Sequence, residues 1–207
     1  MALPNQLTVL RIALTPVFAV SLTFEALWIR YLSLSIFFLA SLTDWYDGYV
    51  ARKHGNITNI GRYLDPLADK LLISTAFGMF SYLGLVQFWM FAVIAFRDFL
   101  ITGLRSYALH LNKPFVTSNF AKWKTFCQML AIYFVLIWLI VKETHQTGEP
   151  IPALMQDIEN WDVIGKMMLF VTFFTLATGV SYLFDNRRHL KSIAISFYRV
   201  FVPTNVR

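Results

Sequence analysis

The chain alternates long apolar runs with short polar connections, and this alternation constrains its fold more than any other feature. Crossing a bilayer takes about 20 apolar residues in a helix. Only helices or closed barrels can satisfy their own backbone polar groups there. Such runs extend from Leu7 to about Trp28, Tyr31 to Arg52, Gly61 to about Tyr82, Phe88 to about Leu109, Phe126 to Val141 and Val163 to Phe184. The fifth can be extended back to about Asn119. The expectation is an all-α, polytopic membrane protein with six transmembrane helices, forming one domain over residues 1–207. Residues about 1–7 would be a juxtamembrane element, with Pro4 and Asn5 placed to start a helix, and residues about 185–207 a basic tail. Charged residues make up 14% of the chain, against about 25% in a soluble domain.

Charge placement sets the expected orientation. Arg52, Lys53 and Arg62 flank the connection after the second run, and Lys113, Lys122 and Lys124 the one after the fourth. The tail adds Arg187, Arg188, Lys191, Arg199 and Arg207, while the opposite side offers little beyond Arg30 and Lys142. The positive-inside rule then puts both termini on the cytoplasmic side. The net charge of +6 follows this topology pattern, so no nucleic-acid partner is expected. Trp28-Ile29-Arg30-Tyr31 reads as an interfacial turn with aromatic anchors. Glu25 and the lack of a small-residue cleavage site argue against a cleaved signal peptide. Cys127 is the only cysteine, which excludes an intramolecular disulfide, and His54, His110, His145 and His189 lack zinc-ligand spacing.

Against this apolar background stand Asp44, Asp47, Asp65 and Asp69. Spacings of three and four put each pair on one helix face. A carboxylate at mid-membrane costs about 2.5–3.5 kcal/mol, and four close together also repel one another. Packing cannot offset that, so positive charge must. Two divalent cations, Mg²⁺ or Mn²⁺, suit such oxygen donors. The acids lie at the end of the runs that the basic residues mark as cytoplasmic.

The stretch reads D-x2-D-G-x2-A-R-x8-G-x3-D-x3-D, on Asp44, Asp47, Gly48, Ala51, Arg52, Gly61, Asp65 and Asp69. It resembles the signature of the CDP-alcohol phosphotransferase family at every fixed position. The resemblance implies six spans with the motif across the second and third, and a homodimer. It further implies that Asp44, Asp47, Asp65 and Asp69 are metal ligands and that Asp69 is also the base for the attacking hydroxyl. Gly48 and Gly61 would let a nucleotide approach the backbone, and Ala51 keeps that face shallow. Gly48 and Ala51 equally suit helix packing through small residues. Arg52 offers a charged fork to a phosphate, and Thr58 falls where the family contacts the CDP moiety. Asn5, Thr8 and Arg11 match the family's N-terminal element, which helps hold the CDP end. Arg11 also fits a snorkelling interfacial charge.

The acceptor is read from Arg97-Asp98-Phe99-Leu100-Ile101-Thr102-Gly103-Leu104-Arg105 and from Lys122-Trp123-Lys124-Thr125. Cations in a span need anionic partners. Arg97 can pair with Asp98 or a motif carboxylate, whereas Arg105, Lys122 and Lys124, with Arg97, can line a pocket for an acceptor phosphate. The R-[DE]…G-L-R…K-x-K-T pattern, with PNQLTVLRIALTP and LDPLADK, resembles bacterial phosphatidylglycerophosphate synthases within the family. That resemblance implies an inner-membrane enzyme with its active site facing the cytoplasm. It would take CDP-diacylglycerol and glycerol 3-phosphate to phosphatidylglycerol phosphate and CMP. Inositol phosphate or phosphatidylglycerol as acceptor stays open, since both carry phosphate. A cation transporter would place acids at the midplane of repeated halves, and no repeat is visible. The tail fits a retention signal or an amphipathic segment with Ile193, Ile195, Phe197, Val200 and Phe201 in the interface.

Overall fold

The computed structural model describes residues 3–54, 61–110, 119–146 and 153–187. Among these the chain is helical throughout: α1 Leu3–Leu22, α2 Leu27–His54, α3 Gly61–Tyr82, α4 Phe88–His110, α5 Asn119–Gln146, α6 Ala153–Asn160 and α7 Val163–Asp185. Within them, three stretches are long and apolar enough to cross a membrane: Leu27–Asp44, Trp123–His145 and Val163–Asp185. Gln6–Leu22 of α1 is apolar but shorter. With 22 and 23 residues, α3 and α4 have spanning length. Their charged residues, such as Asp69 and Lys70 on α3 and Arg97 and Asp98 on α4, lower their apolarity.

The six long helices close into a ring. Following contacts, α1 meets α3, α3 meets α4, α4 meets α7, α7 meets α5, α5 meets α2, and α2 returns to α1. A further contact joins α3 to α5 across the middle. The core draws on all of them, with Phe18, Phe37, Phe77, Ile94, Ile132 and Met168 among its fully buried side chains. The Phe37 ring stands 5.4 Å from Phe18 and 5.2 Å from Tyr133, tying α1, α2 and α5 together. Val17, Phe38, Ile137, Phe170, Phe173 and Val180 face outward. A soluble monomer rarely exposes so much apolar surface, and a bilayer accommodates it.

Several hydroxyls inside the ring are satisfied within their own helix. Ser33, Ser41 and Thr172 each donate to the carbonyl four residues back, the usual arrangement for a hydroxyl in a helix. Ser21 and Ser33 hydrogen-bond across α1 and α2 at 2.7 Å.

The α3–α4 connection is a tight turn at Gly84–Gln87. Gly84 has φ +73°, a backbone state that glycine adopts without Cβ strain. The Leu85 N–H donates to the Phe80 carbonyl and the Gly84 N–H to that of Ser81, a Schellman cap on α3. The polar stretch 142–162 is more helical than its composition suggests. It holds the last turn of α5 and all of α6, and Ile158 anchors α6 against the core. Asp162 then takes a left-handed conformation, φ 46°, and its side chain accepts from the Gly165 N–H to cap α7.

Candidate active site

α2 carries Asp44 and Asp47 one turn apart, and α3 carries Asp65 and Asp69 one turn apart. Unbroken helix through both pairs realises the spacing read from sequence, and α3 stays helical through Pro66. The Asp44 carboxylate is 48% exposed and lies 2.8 Å from Nη1 of Arg11, whose own side chain is only 1% exposed. Arg11 is therefore a buried counter-charge on α1, the opposite of a snorkelling cation at the interface. Thr8, one turn before it, is buried too. Asp69 is 27% exposed and accepts from Nζ of its neighbour Lys70 at 2.6 Å.

Lys70 lies within electrostatic reach of Asp69, Asp98 and Asp44. Carboxylates from α2, α3 and α4 thus converge on one end of the ring. The Asp44 and Asp69 side chains stay partly exposed there, and carboxylate oxygens are the donors a hard divalent cation prefers. Among the described residues no three His, Cys, Asp or Glu side chains gather as a metal site. Thr58 and the tail from 188 onward lie outside the described residues. Asn5, Asp47, Gly48, Ala51, Arg52, Gly61, Asp65 and Lys122 are described through their helical backbone alone.

The second cluster is built on Asp98, whose side chain is 1% exposed. Both of its oxygens accept from Nζ of Lys124 on α5 at 2.6 Å. Nη1 of Arg97 donates to Oδ1 at 3.0 Å, and Nε2 of Gln128 donates to Oδ2 at 3.2 Å. Nη2 of Arg97 reaches across to the Thr178 hydroxyl on α7 at 3.2 Å. Two cations thus meet one buried carboxylate, which leaves the group with surplus positive charge. Arg105, also on α4, is exposed. Arg105 and Arg97 both act electrostatically on the Tyr182 hydroxyl of α7.

Of the four cations expected at an acceptor phosphate, Arg97 and Lys124 are thus brought together, with Asp98 between them. The pairing of Arg97 with Asp98, one of its two sequence readings, is present. Sequence reasoning missed three contributors: Arg11 as the partner of Asp44, Gln128 on Asp98, and Thr178 on Arg97. A signal for the last existed. Thr172, Thr175 and Thr178 recur every three residues in a largely apolar helix, and all three are buried.

Residues 1–172 match the sequence profile of the CDP-alcohol phosphatidyltransferases. The chain belongs to this family. Several relatives carry the name CDP-diacylglycerol–glycerol-3-phosphate 3-phosphatidyltransferase. A protein of Rickettsia bellii is 35% identical over 181 residues, which cover 87% of this chain and 92% of the relative. One of Bacillus subtilis is 33% identical over 202 residues, covering 92% and 97%. One of Blochmanniella floridana is 37% identical over 139 residues, covering 65% and 73%. The acid-bearing helices α2 and α3, and Asp98 with Arg97, Lys124 and Gln128, fall inside the part that matches the family.

Proposed function

We propose that this CDP-alcohol phosphatidyltransferase transfers the phosphatidyl group of CDP-diacylglycerol to glycerol 3-phosphate, giving phosphatidylglycerol phosphate and CMP. The observation that carries this reading is near-full-length similarity to relatives named for that reaction. The surplus positive charge around Asp98 supports it, because the acceptor is an alcohol that also bears a phosphate.

In this reading Asp44, Asp47, Asp65 and Asp69 hold two divalent cations, Mg²⁺ or Mn²⁺. When bound, these would neutralise the pyrophosphate and the departing CMP. Arg11 holds Asp44 in place from the buried side. Asn5, Thr8, Gly48, Ala51, Arg52, Thr58 and Gly61 receive the CDP moiety. Arg97, Arg105, Lys122 and Lys124 attract the acceptor phosphate and hold its hydroxyl within reach of Asp69. Asp69 takes the hydroxyl proton as the acceptor oxygen bonds to the lipid-side phosphorus. The bond from that phosphorus to the bridging pyrophosphate oxygen breaks, and CMP leaves with the electron pair. Holding both reactants in line supplies most of what phosphoryl transfer needs from a protein.

The same reading gives six spans, both termini in the cytoplasm and the reaction at the cytoplasmic face of a bacterial inner membrane. The closed ring of long helices and the outward apolar side chains support it. The test is CMP release by the purified protein from CDP-diacylglycerol with glycerol 3-phosphate, inositol phosphate, phosphatidylglycerol or serine as acceptor. Release with glycerol 3-phosphate, abolished by a chelator and restored by Mg²⁺ or Mn²⁺, is expected. Release with another acceptor alone would overturn the assignment.

A further inference from the structure

Arg97 is gripped from two sides. Its side chain, 11% exposed, gives one terminal nitrogen to Asp98 and the other to Thr178. The Thr178 hydroxyl spends its own proton on the Thr175 carbonyl at 2.9 Å, which leaves its lone pairs for the arginine. Because a guanidinium is planar and rigid, anchoring both terminal nitrogens fixes the orientation of its face. The stem is fixed as well. A Cβ added at Gly179 would stand 2.9 Å from Nε and 3.0 Å from Cγ of Arg97, so the arginine lies directly against the bare backbone of α7. Any residue larger than glycine there must move it.

These contacts come from residues 178 and 179, beyond residue 172 where the match to the family ends. We propose that Thr178 and Gly179 are positioning residues that seat Arg97, and that this seat adapts the enzyme to an acceptor alcohol carrying a phosphate monoester. The inference rests on the proposed function for the role of Arg97, and adds to it where the specificity is set. Asp98 alone would tie Arg97 to its own helix, whereas the α7 seat fixes it relative to the other wall of the site. With the seat intact, the guanidinium and the Lys124 ammonium flank Asp98, and an incoming phosphate meets cations already in place. Preorganisation of this kind strengthens binding of the charged acceptor without touching the nucleotide end.

The experiment measures KM for glycerol 3-phosphate and for CDP-diacylglycerol separately, with kcat, in Gly179→Ala, Thr178→Val and Thr178→Ser. Gly78→Ala serves as control, because a methyl there would meet only the Phe91 ring at 3.4 Å, an ordinary contact. Gly179→Ala and Thr178→Val are expected to raise KM for glycerol 3-phosphate about tenfold, the scale of one hydrogen bond to a charged group. KM for CDP-diacylglycerol should stay within about twofold, and Thr178→Ser should restore the wild-type value by keeping the hydroxyl. If Gly179→Ala does not fold, Thr178→Val against Thr178→Ser decides. An unchanged KM for glycerol 3-phosphate, a parallel rise for both substrates, or no rescue by serine would overturn the inference and leave the proposed function standing. If the wild-type protein uses a different phosphorylated acceptor, the assigned reaction fails and the same KM comparison with that acceptor still decides the seat. Use of an unphosphorylated acceptor alone would overturn both.

Discussion

At one end of the ring, Arg30 donates to the Leu22 carbonyl at 2.8 Å and lies 3.9 Å from Glu143. At the other end, Arg11 meets Asp44, Lys70 meets Asp69, and Arg97 and Lys124 share Asp98. Both ends bury an arginine on the inner side of an ion pair, yet the acids differ. Glu143 is mostly buried beside its partner, whereas the Asp44 and Asp69 side chains stay more exposed. Arg30 also closes the C-terminal turn of α1, a job that is finished once the helix is capped. The opposite end holds charge that its own side chains do not fully use. One end is complete as architecture. The other keeps acids that are partly exposed.

Substitutions can break or sharpen that contrast. The largest effect is expected for Asp69→Asn, which removes the proposed base and one cation ligand together. CMP release should fall by about 10²–10⁴, measured under saturating substrates, with the protein still folded. Asp98→Asn comes next, since it leaves Lys124 and Arg97 facing each other without their carboxylate. Removing one partner of a buried pair costs about 3–5 kcal/mol, seen as a lower midpoint of thermal unfolding in detergent. Arg30→Ala should cost about 1–3 kcal/mol by leaving the Leu22 carbonyl and Glu143 without their donor. It should leave CMP release per folded molecule unchanged; loss of release without loss of stability would erase the difference between the ends. Ser33→Ala, which deletes the bond between α1 and α2, should change stability by only about 0.6 kcal/mol.

Much of this was legible in the sequence because it depends on spacing along one helix. Asp44 with Asp47 and Asp65 with Asp69 share a face by periodicity alone, and the apolar runs along the chain located the long helices. What stayed hidden depends on which helices become neighbours. Arg11 precedes Asp44 by most of two helices, and Thr178 follows Arg97 across α5 and α6, so no local pattern links them. The ring of contacts sets those pairs. The segment from Lys142 to Asp162 misled for a related reason. Its acids read as a connection, but residues 153–160 form α6, with Ile158 packed on the core, and Asp162 caps α7. Lys124 showed the reverse limit. Its charge suggested an open phosphate ligand, and only the fold supplied Asp98 as the carboxylate that holds it.

The central claim is that the open acids at one end exist to hold divalent cations. Electron paramagnetic resonance of Mn²⁺ titrated into the purified protein with CDP-diacylglycerol measures this without relying on turnover. The account predicts two bound ions per chain, lost when Asp44 and Asp69 are both replaced by alanine and retained in Arg30→Ala. Equal Mn²⁺ binding in the wild type and the double-alanine protein would contradict it.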